Sequence, residues 1–212
     1  MIYAYHLISN LIFSDSTLYG VWSNIELSFN CEVIPGAKYR DLAKVISHLY
    51  LRQSSAPLDV VIIAGLNNII EGQSMEEIME EVRLLAKRLE RHSQSHRHSL
   101  PSTVSFATIP LAPKLAVLYE SPAMARPLIS SFTDKSSIIL QTNDALKNYN
   151  LFELKVKFVG LNSFGVRKCS KTDRLIHILN LWKEQEVNKK LHLVMPQKVK
   201  MVKFITKYFA NI

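Results

Sequence analysis

Leu58-Asp59-Val60-Val61-Ile62-Ile63-Ala64 is a continuous, largely β-branched run whose only charge stands near its start. A strand without polar alternation is covered on both faces, as in the centre of a parallel sheet. Upstream, Leu11-Ile12-Phe13 breaks abruptly into Ser14-Asp15-Ser16, which predicts a first strand and a polar turn at its carboxyl end. Ser28 to Ile34 reads as a second strand closed by Pro35-Gly36. Downstream, Thr103–Ile109 and Leu154–Val159 read as a fourth and a fifth strand.

Helical periodicity fills the gaps between these runs. Leu42, Val45, Ile46 and Leu49 repeat at helical spacing within Tyr39–Leu51. Ser74 and Glu77 form a capping box ahead of Met75, Ile78, Val82, Leu85 and Leu89. Further helices are predicted around Lys135–Tyr149 and from Pro196, a residue favoured in a first helical turn, to about Phe209. Parallel strands need crossover connections, and helices supply them. The expectation is one three-layer α/β/α sandwich with a mostly parallel, flavodoxin-like five-stranded sheet, a single domain over residues 1–212.

Composition narrows the class. Apolar residues make up 48% and charged residues 21%, ordinary for a globular protein and far from a disordered one. The apolar N-terminus lacks a basic leader and a small-residue cleavage site, so a buried strand is expected there rather than a signal peptide. No uncharged apolar stretch approaches the roughly 18 residues that span a membrane. The expectation is a cytoplasmic or nuclear protein without a membrane partner. Two cysteines, Cys31 and Cys169, make no disulfide framework and offer no metal-ligand spacing.

The net charge of +8 suggests an anionic partner such as nucleic acid. It concentrates at the end of the chain, where seven lysines face Glu184 and Glu186 between positions 183 and 212. Lys198, Lys200, Lys203 and Lys207 are spaced as one solvated helix face, with no interleaved aromatic that reads as exposed. That absence argues against a platform for single strands.

In such a fold the loops after successive strands converge on one edge of the sheet. They supply Ser14-Asp15-Ser16, then Pro35-Gly36-Ala37-Lys38, then Gly65-Leu66-Asn67-Asn68, and finally Lys189-Lys190-Leu191-His192-Leu193 before the last helix. A hydroxyl, a backbone N–H beside glycine, an amide and an imidazole are the parts of a serine acyl-transfer site. The set, in this order, resembles the SGNH-hydrolase (GDSL-type esterase) superfamily, which carries Gly-Asp-Ser, a lone Gly, Gly-x-Asn-Asp and Asp-x-x-His at these places. The resemblance covers almost the whole chain. It implies an ester hydrolase of small acyl or acetyl esters that needs no cofactor and no metal.

The resemblance makes Ser16 the nucleophile and His192 its base. It assigns the oxyanion hole to Ser16, Gly36 and Asn67, with Asp15 and Asn68 in support. Ser14 replaces the motif's Gly, and Asn68 its Asp. Lys189 stands three residues before His192, where the family carries the triad Asp. A lysine cannot orient an imidazole as a carboxylate does, and its charge disfavours the imidazolium. Glu186 is the candidate replacement acid. Asp173-x-x-x-His177 is a rival pair, one residue too long in spacing and inside a segment whose Leu175, Ile176, Leu179 and Leu181 read as helix. Ala64–Ile69 and Thr108–Lys114 are similar to SGNH-like domains of animal retroelement-derived proteins, including those of some LINE elements. The reading from a different class is a hydrolase-like fold without catalysis that binds nucleic acid or protein. A flavodoxin-like cofactor binder is disfavoured, because no Gly-rich phosphate loop follows the first strand.

Overall fold

The computed structural model describes residues 10–19, 21, 30–50, 59–95, 103–112, 135–149, 156–160, 166–168, 170, 175–177 and 193–210. Strands β1 (Asn10–Ser14), β2 (Asn30–Val33), β3 (Asp59–Ile63), β4 (Thr103–Ala107) and β5 (Val156–Val159) form one sheet. Its order is β2-β1-β3-β4-β5, and every pairing is parallel. Val60, Val61, Ile62 and Ile63 of β3 are all buried, so the unbroken apolar run is covered on both faces as its composition requires.

Helices α1 (Tyr39–Tyr50), α3 (Met75–Ser95) and α4 (Ser136–Lys147) connect β2 to β3, β3 to β4 and β4 to β5. All three crossovers step the same way along the sheet, so right-handedness puts these helices on one face. There α1 packs against α3, and α3 against α4. The capping box at α3 is formed: the Ser74 N–H donates to Glu77 Oε2 at 2.7 Å and the Glu77 N–H to Ser74 Oγ at 3.2 Å. The apolar stripe of α3, Ile78, Val82, Leu85 and Leu89, is buried in the core. The connection from β1 to β2 steps the other way, so its described start, Ser16–Tyr19, leads toward the opposite face. The final helix α5 (Met195–Ala210) meets the start of that connection at Tyr19 and buries Met201, Val202 and Ile205. This is the three-layer α/β arrangement that the alternation of elements predicts.

Three local features depart from the sequence reading. A short helix, α2 (Leu66–Ile70), follows β3 where a loop is expected. Leu175–His177 is not helical: it forms β7, paired antiparallel with β6 (Val166–Lys168) in a separate ribbon. Short apolar runs carry no period long enough to separate the two states, and here β pairing prevails. The third is Lys198, which is buried rather than on a solvated face. Among the described residues no helix is long and apolar enough to cross a membrane.

Candidate active site

The strand order reverses between β1 and β3, and in open α/β sheets the crevice beyond that point is where ligands bind. Ser14 pairs with Val33 on one side and Ile63 on the other, so the loops after β1, β2 and β3 leave the sheet at one level. Backbone bonds bind them together there. The Asp15 N–H donates to the Ile63 carbonyl at 2.9 Å, and the Ile34 N–H to the Ser14 carbonyl at 2.8 Å.

Beyond β1 the chain makes a single 3-10 turn, Ser16–Leu18. Asp15 caps it, with Oδ1 accepting the Thr17 N–H at 2.8 Å, and the turn closes with the Tyr19 N–H on the Ser16 carbonyl at 3.1 Å. Ser14, Asp15, Thr17 and Leu18 are all buried, whereas Ser16 is half-buried. Ser14 Oγ turns inward, donating to the Asp15 carbonyl at 3.1 Å. Of the block's two serines, Ser14 is the buried one and Ser16 the half-buried one.

Gly36 has φ +79° in the turn after β2, a conformation that L side chains rarely adopt. No heavy atom lies within 4 Å of where its Cβ would be, so open space borders its backbone. The Asn67 amide ties the next loop to this one, donating to the Ala37 carbonyl at 3.1 Å. An amide carries a second N–H, and Asn67 is half-buried. Gly36 and Asn67 therefore sit on hydrogen-bonded neighbouring loops, flanking the turn of Ser16.

Asn68 points the other way and is fully buried. Its Oδ1 accepts the Tyr39 N–H at 3.4 Å, and its Nδ2 donates to Gln73 and, at 2.8 Å, to Glu81 Oε2. Glu81 is buried as well, and also accepts from Gln73 Nε2 at 2.9 Å and from the Arg40 N–H at 3.1 Å. This network accounts for Asn where the motif carries Asp. An aspartate would set a second carboxylate against Glu81 and delete the donor that Glu81 uses. Asn68 thereby fixes the segment after β3 onto α1 and α3.

Asp15 is the electrostatic singularity of the site. Burial raises its carboxyl from the ordinary 3.8 to about 6, against hydrogen bonds from Thr17, the Leu66 N–H and the charge of Lys198. The same burial, with the charge of Asp15, pushes the Tyr39 hydroxyl up. Because the folded protein holds the Asp15 proton more tightly than the unfolded chain, the contribution of Asp15 to stability is greatest below pH 4. It is lost as pH rises through 6. The expected loss is roughly 2 kcal/mol between pH 4 and pH 7. Denaturant titrations of wild-type and Asp15→Asn protein across that range check it, since their difference isolates this group. A pH-independent difference would refute it.

His192, Lys189 and Glu186 lie outside the described residues, while Leu193, next to His192 in the chain, is buried in the core. The basic face loses a member. Lys198 is 1% exposed, with Nζ donating to the Tyr19 carbonyl at 2.9 Å, whereas Lys200, Lys203 and Lys207 are exposed. Their face does carry an aromatic, because Phe204 is 42% exposed between Lys203 and Lys207.

No protein-family model matches the sequence, and no curated protein matches it. Solved structures do. A GDSL-like lipase from Bacteroides thetaiotaomicron superposes with a TM-score of 0.61 at 13% identity, covering 96% of this chain and 88% of its own. A member of the lipolytic protein G-D-S-L family from Veillonella parvula gives 0.55 at 14% identity, over 96% and 98%. The aryl esterase of M. smegmatis gives 0.56 at 12%, over 95% and 98%. At such identities it is the path of the backbone that is shared: the chain has the α/β fold of these lipases and esterases.

Proposed function

We propose that the chain is a serine ester hydrolase acting on small acyl esters, with Ser16 as nucleophile and His192 as base. One observation carries this reading: Ser16 is the half-exposed serine on a turn otherwise buried, at the reversal point of the sheet, beside the hydrogen-bonded loops of Gly36 and Asn67. Ser16 Oγ bonds to the ester carbonyl carbon while its proton passes to His192. The carbonyl electrons move onto oxygen, which the N–H groups of Ser16 and Gly36 and the second N–H of Asn67 stabilise. The C–O bond then breaks, and the alcohol leaves with the proton from His192. Water, deprotonated by His192, frees the acyl group in the reverse sense. Lys189 at the acid's place weakens this cycle, since replacing the acid by an amide in a serine protease costs about 10⁴ in kcat. Glu186 is the carboxylate proposed to take that role. The purified chain should hydrolyse p-nitrophenyl acetate and react with a fluorophosphonate probe on the peptide containing Ser16. Absence of both would overturn the proposal.

A second reading, binding of a polyanion by α5, is favoured by the exposed Lys200, Lys203, Phe204 and Lys207, which share one face at helical spacing. An RNA oligonucleotide should bind with log K falling linearly against log salt. Replacing the three lysines by alanine should remove that binding; equal affinity in the triple variant would sink the reading.

A further inference from the structure

Residues 198, 201, 202 and 205 form the inward stripe of α5, and three of them are the apolar Met201, Val202 and Ile205. The fourth is Lys198, as buried as the others, at a place where leucine or methionine would satisfy packing. Burying an ammonium is costly unless its donors and charge are met. What it meets is the turn of Ser16. Its Nζ donates at 2.9 Å to the carbonyl of Tyr19, the residue that ends the turn, and its charge acts on Asp15, the residue that caps the turn's start. One cation is thus bonded to the end of the turn that presents Ser16, from a helix 179 residues away in sequence, and its charge reaches the carboxyl at the turn's start.

We infer that Lys198 is a positioning residue that latches α5, the helix following His192, onto the turn presenting Ser16. The inference rests on the esterase reading for its catalytic consequence, although the latch itself does not. The acceptor at Tyr19 is its backbone carbonyl, so the contact cannot be rebuilt by an apolar side chain at 198. Among the described residues, the groups that bear on Asp15 are Lys198 from α5, the Tyr39 hydroxyl from α1, the Leu66 N–H of α2 and Thr17 of its own turn. Lys198 is the cation of that set.

The test compares the wild-type chain of residues 1–212 with Lys198→Met, Lys198→Gln and Lys198→Arg. Lys198→Met completes the apolar stripe and is expected to fold. Fluorophosphonate labelling of Ser16 should then slow about 10- to 100-fold, the range in which misplacement by an ångström falls. On p-nitrophenyl acetate kcat should drop with KM within about twofold, and Lys198→Arg should recover part of the rate. The Asp15 carboxyl, followed by carbon NMR, should titrate at higher pH in Lys198→Met. Should that variant not fold, Lys198→Gln gives the same comparison. Wild-type labelling rate with an unmoved Asp15 titration would overturn the inference. A wild-type chain that never labels would instead remove the esterase reading, and the Asp15 titration would still decide the latch: an unmoved midpoint refutes it, an upward one supports it.

Discussion

Ser16→Ala protein is expected to lose fluorophosphonate labelling altogether and ester turnover down to the solution background, while melting at the wild-type temperature. The reason for expecting both lies in the division of labour within the turn. The fold is held there by buried side chains, Leu18 beneath it and Thr17 beside it, and by Asp15, whose oxygen takes the Thr17 N–H at 2.8 Å. Ser16 contributes backbone to that turn, through the carbonyl that accepts from Tyr19, and the residue is half-buried where its neighbours Asp15 and Thr17 are buried. Replacing such a side chain typically changes stability by no more than about 0.5 kcal/mol. Removing a serine nucleophile removes the covalent step itself, and in a well-studied protease that costs about 10⁶ in kcat. Ser14→Ala is the control, because Ser14 has the same hydroxyl but keeps it on the Asp15 carbonyl. It should still be labelled. Labelling that persists in Ser16→Ala protein would move the nucleophile elsewhere and end the proposal.

The parts of this architecture that were legible in sequence are those written in unbroken local patterns. The β3 run, the capping box at Ser74 and the stripe of α3 each need one short window, and each folds as its pattern dictates. What the sequence hid is written across long separations. Lys198 sits in a basic run that looks like a solvated face, and only the approach of Tyr19 reveals it as the buried member of an apolar stripe. Asn68 looks like a damaged motif until Glu81 is seen on the neighbouring helix, accepting its amide. Five residues of α2 are too few to display a period, and the capping Gly65 gives it no side-chain cap to read. His177 illustrates the converse error, since its neighbours mimic helical spacing over a segment that pairs as a strand. Gly36 was legible as a turn glycine because only its residue type readily permits the positive φ it adopts.

Gly65→Ala is expected to be the most destabilising single-methyl change in the site, at about 4 kcal/mol. Two independent costs meet at this residue. Its φ of +107° is one that L side chains rarely adopt, and holding alanine there costs on the order of 1–3 kcal/mol. The added Cβ would also lie 2.6 Å from Ile109 Cδ1, 2.7 Å from Ile109 Cγ1 and 3.1 Å from Tyr39 Cε2. Overpacking of this kind adds roughly 1–3 kcal/mol when the neighbours cannot move. Neither can retreat easily. Ile109 is fully buried and clamped by Asn143, which accepts its N–H at 2.7 Å and donates to its carbonyl at 3.0 Å. Tyr39 is fully buried too, with its hydroxyl on the Ala64 carbonyl at 3.0 Å. In a chain of this size each kcal/mol lowers Tm by about 2–4 °C, so a drop of roughly 8–16 °C is expected. Gly36→Ala separates the two costs, because its φ is +79° yet nothing lies within 4 Å of its Cβ. It should lose only the backbone part, roughly 1 kcal/mol. If the two variants melt within about 2 °C of each other, the packing of Ile109 against Gly65 is not what requires glycine there. A large gap, with Asn67 two residues further along in α2, would show that the start of α2 is held in place from beneath by the loop after β4.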